Sequence, residues 1–205
     1  MSPHLVSPPP TGPRTWLALC AGLAGLAVLA WLWPGGRDLL AWRPDLAVAQ
    51  PWRLLTAALV HWSPLHLAAN LAGCAVLALL GARAGLHARH AAAGVLAWPL
   101  TQAGLWLRPD LTLYAGLSGV LHGLTVVAAL ALLQQAGRPR RIGAAVLGGL
   151  TLKLWLETPW GAAVQSVAGY DFAVAPFAHL SGAIAGALAC ALTAWPPRAA
   201  DNARI

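Results

Sequence analysis

The sequence predicts an all-α fold: a polytopic membrane protein built as a six-transmembrane-helix bundle, with both termini cytoplasmic. Three observations carry this expectation. The 205 residues are 59% hydrophobic and only 9% charged, against about 25% charged in an ordinary soluble domain. The apolar residues fall in several long runs that reach, or nearly reach, the ~17–25 residues needed to cross a hydrocarbon core. The runs also lack the apolar–polar alternation of a barrel strand, which leaves the helix as the way to satisfy their backbone groups in lipid.

Taken in order, the spans are expected near residues 15–33, 64–82, 90–107, 116–135, 142–157 and 177–195. They form one membrane domain over 15–195, between a cytoplasmic arm (1–14) and a cytoplasmic tail (196–205). The first span follows a proline-rich arm (Pro8-Pro9-Pro10) and ends in Trp31-Leu32-Trp33. That ending lacks a small-residue cleavage site and reads as an anchor rather than a signal peptide. The fifth span is the weakest, being short and carrying Lys153 and Glu157 near one end. These two stand at i, i+4, read as a structural pair whose charges relieve each other, with contact to a substrate tail as the sharper alternative.

Charge sets the orientation. One set of flanks holds Arg14, Arg83, Arg89, Arg138, Arg140, Arg141, Arg198 and Arg204 against Asp201. The opposite set holds Arg37, Arg43, Arg53 and Arg108 against Asp38, Asp45, Asp110, Glu157 and Asp171. The positive-inside rule puts the first set, and both termini, in the cytoplasm. Topology thus accounts for the net charge of +7, and no nucleic-acid partner is expected. His87 and His90, beside Arg83 and Arg89, read as solvated residues of a cytoplasmic loop. Residues 34–63, with Trp42, Trp52 and Trp62, read as an external loop in the headgroup zone. Cys20, Cys74 and Cys190 lie inside apolar runs without metal or disulfide spacing, as small packing residues do.

With this orientation, even-numbered spans start at the external surface. His66 and Asn70 open the second, Ser118 the fourth and His179 the sixth. All lie within about two helical turns of that surface at ~1.5 Å per residue. Polar side chains at such depth face the bundle interior or a wet cavity.

Ser118 sits between Gly116 and Gly119, and a transmembrane serine is ordinarily helix glue. Here its position at a helix N-terminus also aims free N–H groups at anything bound beside it, as a tetrahedral oxyanion requires. Gly119 and Gly123 form one small-residue seam and Gly182 and Gly186 another, so the fourth and sixth helices can approach backbone to backbone. That packing brings His179 to Ser118 as the base a serine needs. His122, one turn after Ser118 and leaning toward it, is a second candidate base. His179 is preferred because an i, i+4 pair leaves less freedom of attack geometry, with His122 packed beside the His179 ring or on substrate. Spans two, four and six carry no acidic residue at matching depth, so a Ser-His dyad is expected rather than a triad. His66 and Asn70 share one face and suit a developing oxyanion; His61 is expected to brace the loop before them. A histidine-built metal site or transporter is a rival, disfavoured by the lack of His-Glu-x-x-His and of a carboxylate at that depth. No metal and no cofactor are expected.

These residues resemble those of the rhomboid intramembrane serine proteases over nearly the whole chain. Trp52-Arg53 resembles the family's Trp-Arg pair of the first external loop. His61, His66 and Asn70 match its histidine and His-x-x-x-Asn pattern. Gly116-Leu117-Ser118-Gly119 matches Gly-x-Ser-Gly, and Ala178-His179-x-x-Gly182-x-x-x-Gly186 matches the sixth-helix motif. The resemblance implies Ser118 as nucleophile, His179 as base, and His66 and Asn70 assisting the Ser118 N–H at the oxyanion. Where many rhomboids carry tyrosine one turn after the serine, this chain has His122. The run Gly-Leu-Ser-Gly-Val-Leu-His-Gly resembles the rhombosortase branch. That branch implies a Gram-negative inner membrane and, as partner, a membrane-anchored substrate with an apolar C-terminal tail and a Gly-Gly motif. A catalytically inactive rhomboid-like client-binding protein is the second rival, although such proteins typically lack the serine or histidine found here.

Overall fold

The computed structural model describes residues 12–193. The expected tail, with Arg198, Asp201 and Arg204, and nearly all of the expected arm lie outside the described residues. Six long helices correspond to the six apolar runs: α1 (Arg14–Leu32), α4 (Pro64–Ala84), α5 (Ala88–Gly104), α6 (Ser118–Leu133), α7 (Arg138–Leu156) and α8 (Pro176–Leu192). Two short helices, α2 (Gly36–Leu40) and α3 (Arg53–Thr56), lie in the segment between α1 and α4. A two-residue antiparallel pair, β1 (Gln165–Ser166) with β2 (Ala173–Val174), precedes α8 and departs slightly from the all-α expectation.

Helix ends follow local chemistry more closely than hydropathy does. Ser63 caps α4 by accepting from the His66 N–H at 3.1 Å, with Pro64 at the first helical position. Gly85, at φ +67°, closes the same helix. Helix α7 starts at Arg138, four residues before its apolar run, because Pro139 and the following arginines extend the helix into the polar flank. Helix α6 starts at Ser118 rather than at 116, because Gly116 stands at φ +137° and cannot be helical.

The bundle is organised around α6. Most of its residues are buried, and α4, α5, α7 and α8 pack on it. Helix α1 joins through α4, where the Trp16 indole donates to the Leu77 carbonyl at 2.8 Å in space that any side chain on Gly81 would fill. The sharpest approach is between α6 and α8. A Cβ on Gly182 would collide with the backbone of Gly119, and one on Gly186 with the backbone of Gly123. Helix α7 differs from the rest: only Gly143 is buried, against the Ala129 carbonyl and Leu132, while Leu152, Trp155 and Leu156 face outward.

The outer faces of the bundle are apolar, with Leu26, Leu29 and Leu32 of α1, Val76 and Leu79 of α4, and Ile184, Leu188 and Leu192 of α8 all exposed. Helices α1 and α4 are long and apolar enough to cross a membrane, with mean hydropathies of 2.0 and 1.8 over 18 residues. Exposed apolar surface on this scale calls for a nonpolar partner phase. His90 is buried, in contrast to the solvated position expected of it: its Nδ1 accepts from the His87 N–H at 3.0 Å to cap α5. Cys20, Cys74 and Cys190 are free and buried.

Candidate active site

Two loops build the rim of the site at the N-terminal ends of α4, α6 and α8. The first precedes α4 and is tied together by Arg53, which is 2% exposed. Its guanidinium donates to the carbonyls of Ala41 (2.5 Å) and Asp38 (2.9 Å) and to Gln50 Oε1 (2.8 Å). A single planar fork thus satisfies three acceptors and ties the end of α2 to the start of α3. Trp52 adds an indole bond to the Leu39 carbonyl at 3.1 Å. The loop reaches α6 through a backbone bridge between Trp42 and Tyr114. The Tyr114 hydroxyl donates to the Gly116 carbonyl at 2.8 Å, and burial pushes this phenol up to about 12, which keeps it protonated as a donor.

The second loop, residues 158–175, carries the β1–β2 hairpin. Arg108 pins it by donating to the carbonyls of Pro159 (2.7 Å) and Gly161 (2.8 Å). Ser63 pins it to α4 by donating to Asp171 Oδ1 at 2.6 Å. The hairpin lays Phe172 on the His66 ring at 4.1 Å between centroids, and Tyr170 on Phe172 at 4.9 Å. Between the loops opens a cavity of about 600 Å³ lined by His66, Asn70, Ser118, His122 and His179 together with Trp62, Tyr170 and Phe172.

The structure brings Ser118 and His179 together: His179 Nε2 lies 3.0 Å from Ser118 Oγ. The glycine seams make this possible, since Ala178 and Gly182 flank His179 on the side where α8 meets Gly119. His66 and Asn70 line the same cavity. Asn70 Nδ2 donates one hydrogen to the His66 carbonyl at 3.2 Å, which leaves its second amide hydrogen. His66 Nδ1 accepts from the Trp62 N–H at 3.4 Å, so the hydrogen-bond pattern assigns the ring proton to Nε2. Gly116 is required here twice over. A Cβ would need its positive φ and would stand 2.8 Å from His66 Nε2. His61 is 1% exposed behind this layer, with Nδ1 3.1 Å from the Leu59 carbonyl and its ring edge-on to His66. Burial lowers its pKa to about 4.

His122 is stacked on His179, centroids 4.2 Å apart and planes within 9°. Its Nδ1 lies 2.7 Å from the Ser118 backbone carbonyl, and no bond to the Ser118 hydroxyl accompanies it among the described residues. The chemistry available is that of a hydroxyl held against a buried imidazole, beside amide and imidazole donors, in a cavity with apolar walls.

The expectation that no carboxylate lies at the depth of the serine and histidine needs correction. Glu157 Oε2 lies 2.8 Å from His179 Nδ1, and Glu157 Oε1 lies 2.5 Å from Lys153 Nζ. The acidic residue comes from the end of α7 and not from α4, α6 or α8. The C-terminal end of α7 lies beside the N-terminal end of α8, which is where Glu157 meets His179. Lys153 Nζ also lies 3.1 Å from His122 Nε2 and 3.4 Å from His179 Nδ1. The ligand atoms of His122, Glu157 and His179 fall within 4.8 Å of one another, a grouping that a metal could use. The Lys153 ammonium stands among them, and its positive charge opposes a second cation there.

A serine–histidine pair at the mouth of a helical bundle with apolar outer faces defines a class of site, and family comparison agrees with it. Residues 48–196 match the rhomboid domain. The chain belongs to the rhomboid family, whose members are membrane proteins and in general intramembrane serine proteases, some of them inactive. A comparison with curated proteins found no match.

Proposed function

We propose that the protein is an active intramembrane serine endopeptidase with six membrane spans and cytoplasmic termini, in which Ser118 is the nucleophile and His179 the general base. The observation that carries this reading is the 3.0 Å contact between His179 Nε2 and Ser118 Oγ. Ser118 Oγ attacks the scissile carbonyl and its proton passes to His179 Nε2. The carbonyl oxygen takes up the electron pair beside the Ser118 N–H, which precedes the hydrogen-bonded ladder of α6, and beside Asn70 and His66. The proton then returns to the leaving amine as the C–N bond breaks, and water or another amine resolves the acyl-enzyme.

The substrate of this reading is a membrane-anchored protein with an apolar C-terminal tail, cleaved near the external face. Both the membrane family and the apolar, aromatic walls of the cavity support it. The resemblance to the rhombosortase branch adds a Gly-Gly-type sorting tail and a Gram-negative inner membrane. The presence of Ser118 and His179 in contact favours this reading over an inactive client-binding protein.

The test is labelling of the purified protein in detergent by a fluorophosphonate probe. The wild type takes the label, and Ser118→Ala does not while remaining folded. An unlabelled, folded wild type, or proteolysis retained by Ser118→Ala, overturns the assignment.

A further inference from the structure

We infer that Glu157 is a positioning residue of this site, whose carboxylate makes Ser118, His179 and Glu157 act as a triad. The inference rests on the protease reading and deepens it.

A neutral imidazole carries one ring N–H proton and one nitrogen lone pair. If the proton sat on Nε2, His179 would have nothing with which to accept from the Ser118 hydroxyl. A carboxylate can only accept, so the 2.8 Å contact of Glu157 Oε2 with Nδ1 places the proton on Nδ1 and turns the Nε2 lone pair toward Ser118 Oγ. When the serine proton arrives, the imidazolium is buried, since His179 is 5% exposed. A fixed negative charge within hydrogen-bond reach offsets the cost of that buried cation.

The carboxylate is itself fixed. Lys153 Nζ holds Oε1 and donates to His122 Nε2, and His122 Nδ1–H donates to the Ser118 carbonyl. The hydrogen bonds thus close a ring from the Ser118 hydroxyl through His179, Glu157, Lys153 and His122 to the Ser118 backbone. Pairing with Lys153 alone would account for Oε1 but not for Oε2. Nor does helix stability explain the position. Glu157 is the C-cap of α7, where the helix dipole disfavours a negative charge.

The experiment uses the full-length protein in detergent, with the fluorophosphonate probe as reagent. Glu157→Gln keeps the shape and removes the charge, and should slow labelling by about 10² to 10⁴. Glu157→Asp should recover part of that rate. Proton spectra of the wild type should show a strongly deshielded Nδ1 proton that disappears in His179→Ala and in Glu157→Gln. Labelling of Glu157→Gln within threefold of wild type, or a deshielded proton that survives in it, overturns the role of Glu157 and leaves the protease reading intact. Should Glu157→Gln fail to fold, absence of the deshielded proton from wild type overturns the role by itself. A wild type that takes no label overturns the protease reading, and the spectrum then separates that failure from loss of the Glu157–His179 contact.

Discussion

The backbone of Gly119 occupies the space that a Cβ on Gly182 would need. With the matching approach of Gly186 to Gly123, this contact sets how closely α6 and α8 pack, and therefore where the His179 imidazole stands relative to Ser118. Gly182→Ala should destabilise the bundle by roughly 1–3 kcal/mol through overpacking. It should also lower labelling of Ser118 by about 10²-fold, because an ångström of misplacement is enough to do so. Gly148, in α7, has nothing within 4 Å of its added Cβ, and Gly148→Ala should leave labelling unchanged and hold or slightly raise the melting temperature, since alanine is the better helix former. Thermal melts and labelling rates of the two variants check this.

His179→Ala should remove labelling and hydrolysis together, since the Ser118 hydroxyl then keeps its proton. His122→Ala should leave labelling detectable but slower. Its Nδ1 is committed to the Ser118 carbonyl, and its loss removes the stacked ring and one partner of Lys153. Labelling that survives His179→Ala and vanishes in His122→Ala would reverse the assignment of the base.

Asn70→Ala should lower kcat by about 10²–10³ if its free amide hydrogen meets the oxyanion, and by less if His66 and the Ser118 N–H compensate. KM should change little, because such a contact strengthens only in the transition state. Steady-state kinetics on a cleaved membrane peptide decide it. A raised KM with unchanged kcat would place Asn70 in substrate recognition instead.

His61 supplies a prediction in pH. Its folded pKa, near 4, lies below the ordinary 6.5 because of burial, with His66 adding to the shift. Above about pH 6.5 both folded and unfolded chains hold the ring neutral, and this contribution to stability is fully present. As pH falls from about 6.5 to about 4, the unfolded chain takes up a proton that the folded one refuses, and stability declines by on the order of 3 kcal/mol at most. His61→Gln should flatten that acid slope, as read from melting temperatures between pH 4 and pH 8.

The sequence alone was enough to find six long helices, because each apolar run announces itself without reference to any other. Spacing also picked out Ser118, His179, His66 and Asn70 as helix-opening polar residues, and the fold brings all four to one cavity. The pairing of Glu157 with Lys153 was visible in the sequence but its contact with His179 was not, because an i, i+4 partner is a local relation and the bond to His179 is not. Which histidine meets the serine likewise depended on the backbone-to-backbone seam of Gly119 on Gly182. The clamp of Arg53, the stack of Phe172 on His66, and the bond from Ser63 to Asp171 join residues far apart in the chain. Periodicity and hydropathy report what one helix presents to its surroundings. Only the packing of several helices and loops decides which polar groups come within 3 Å of one another.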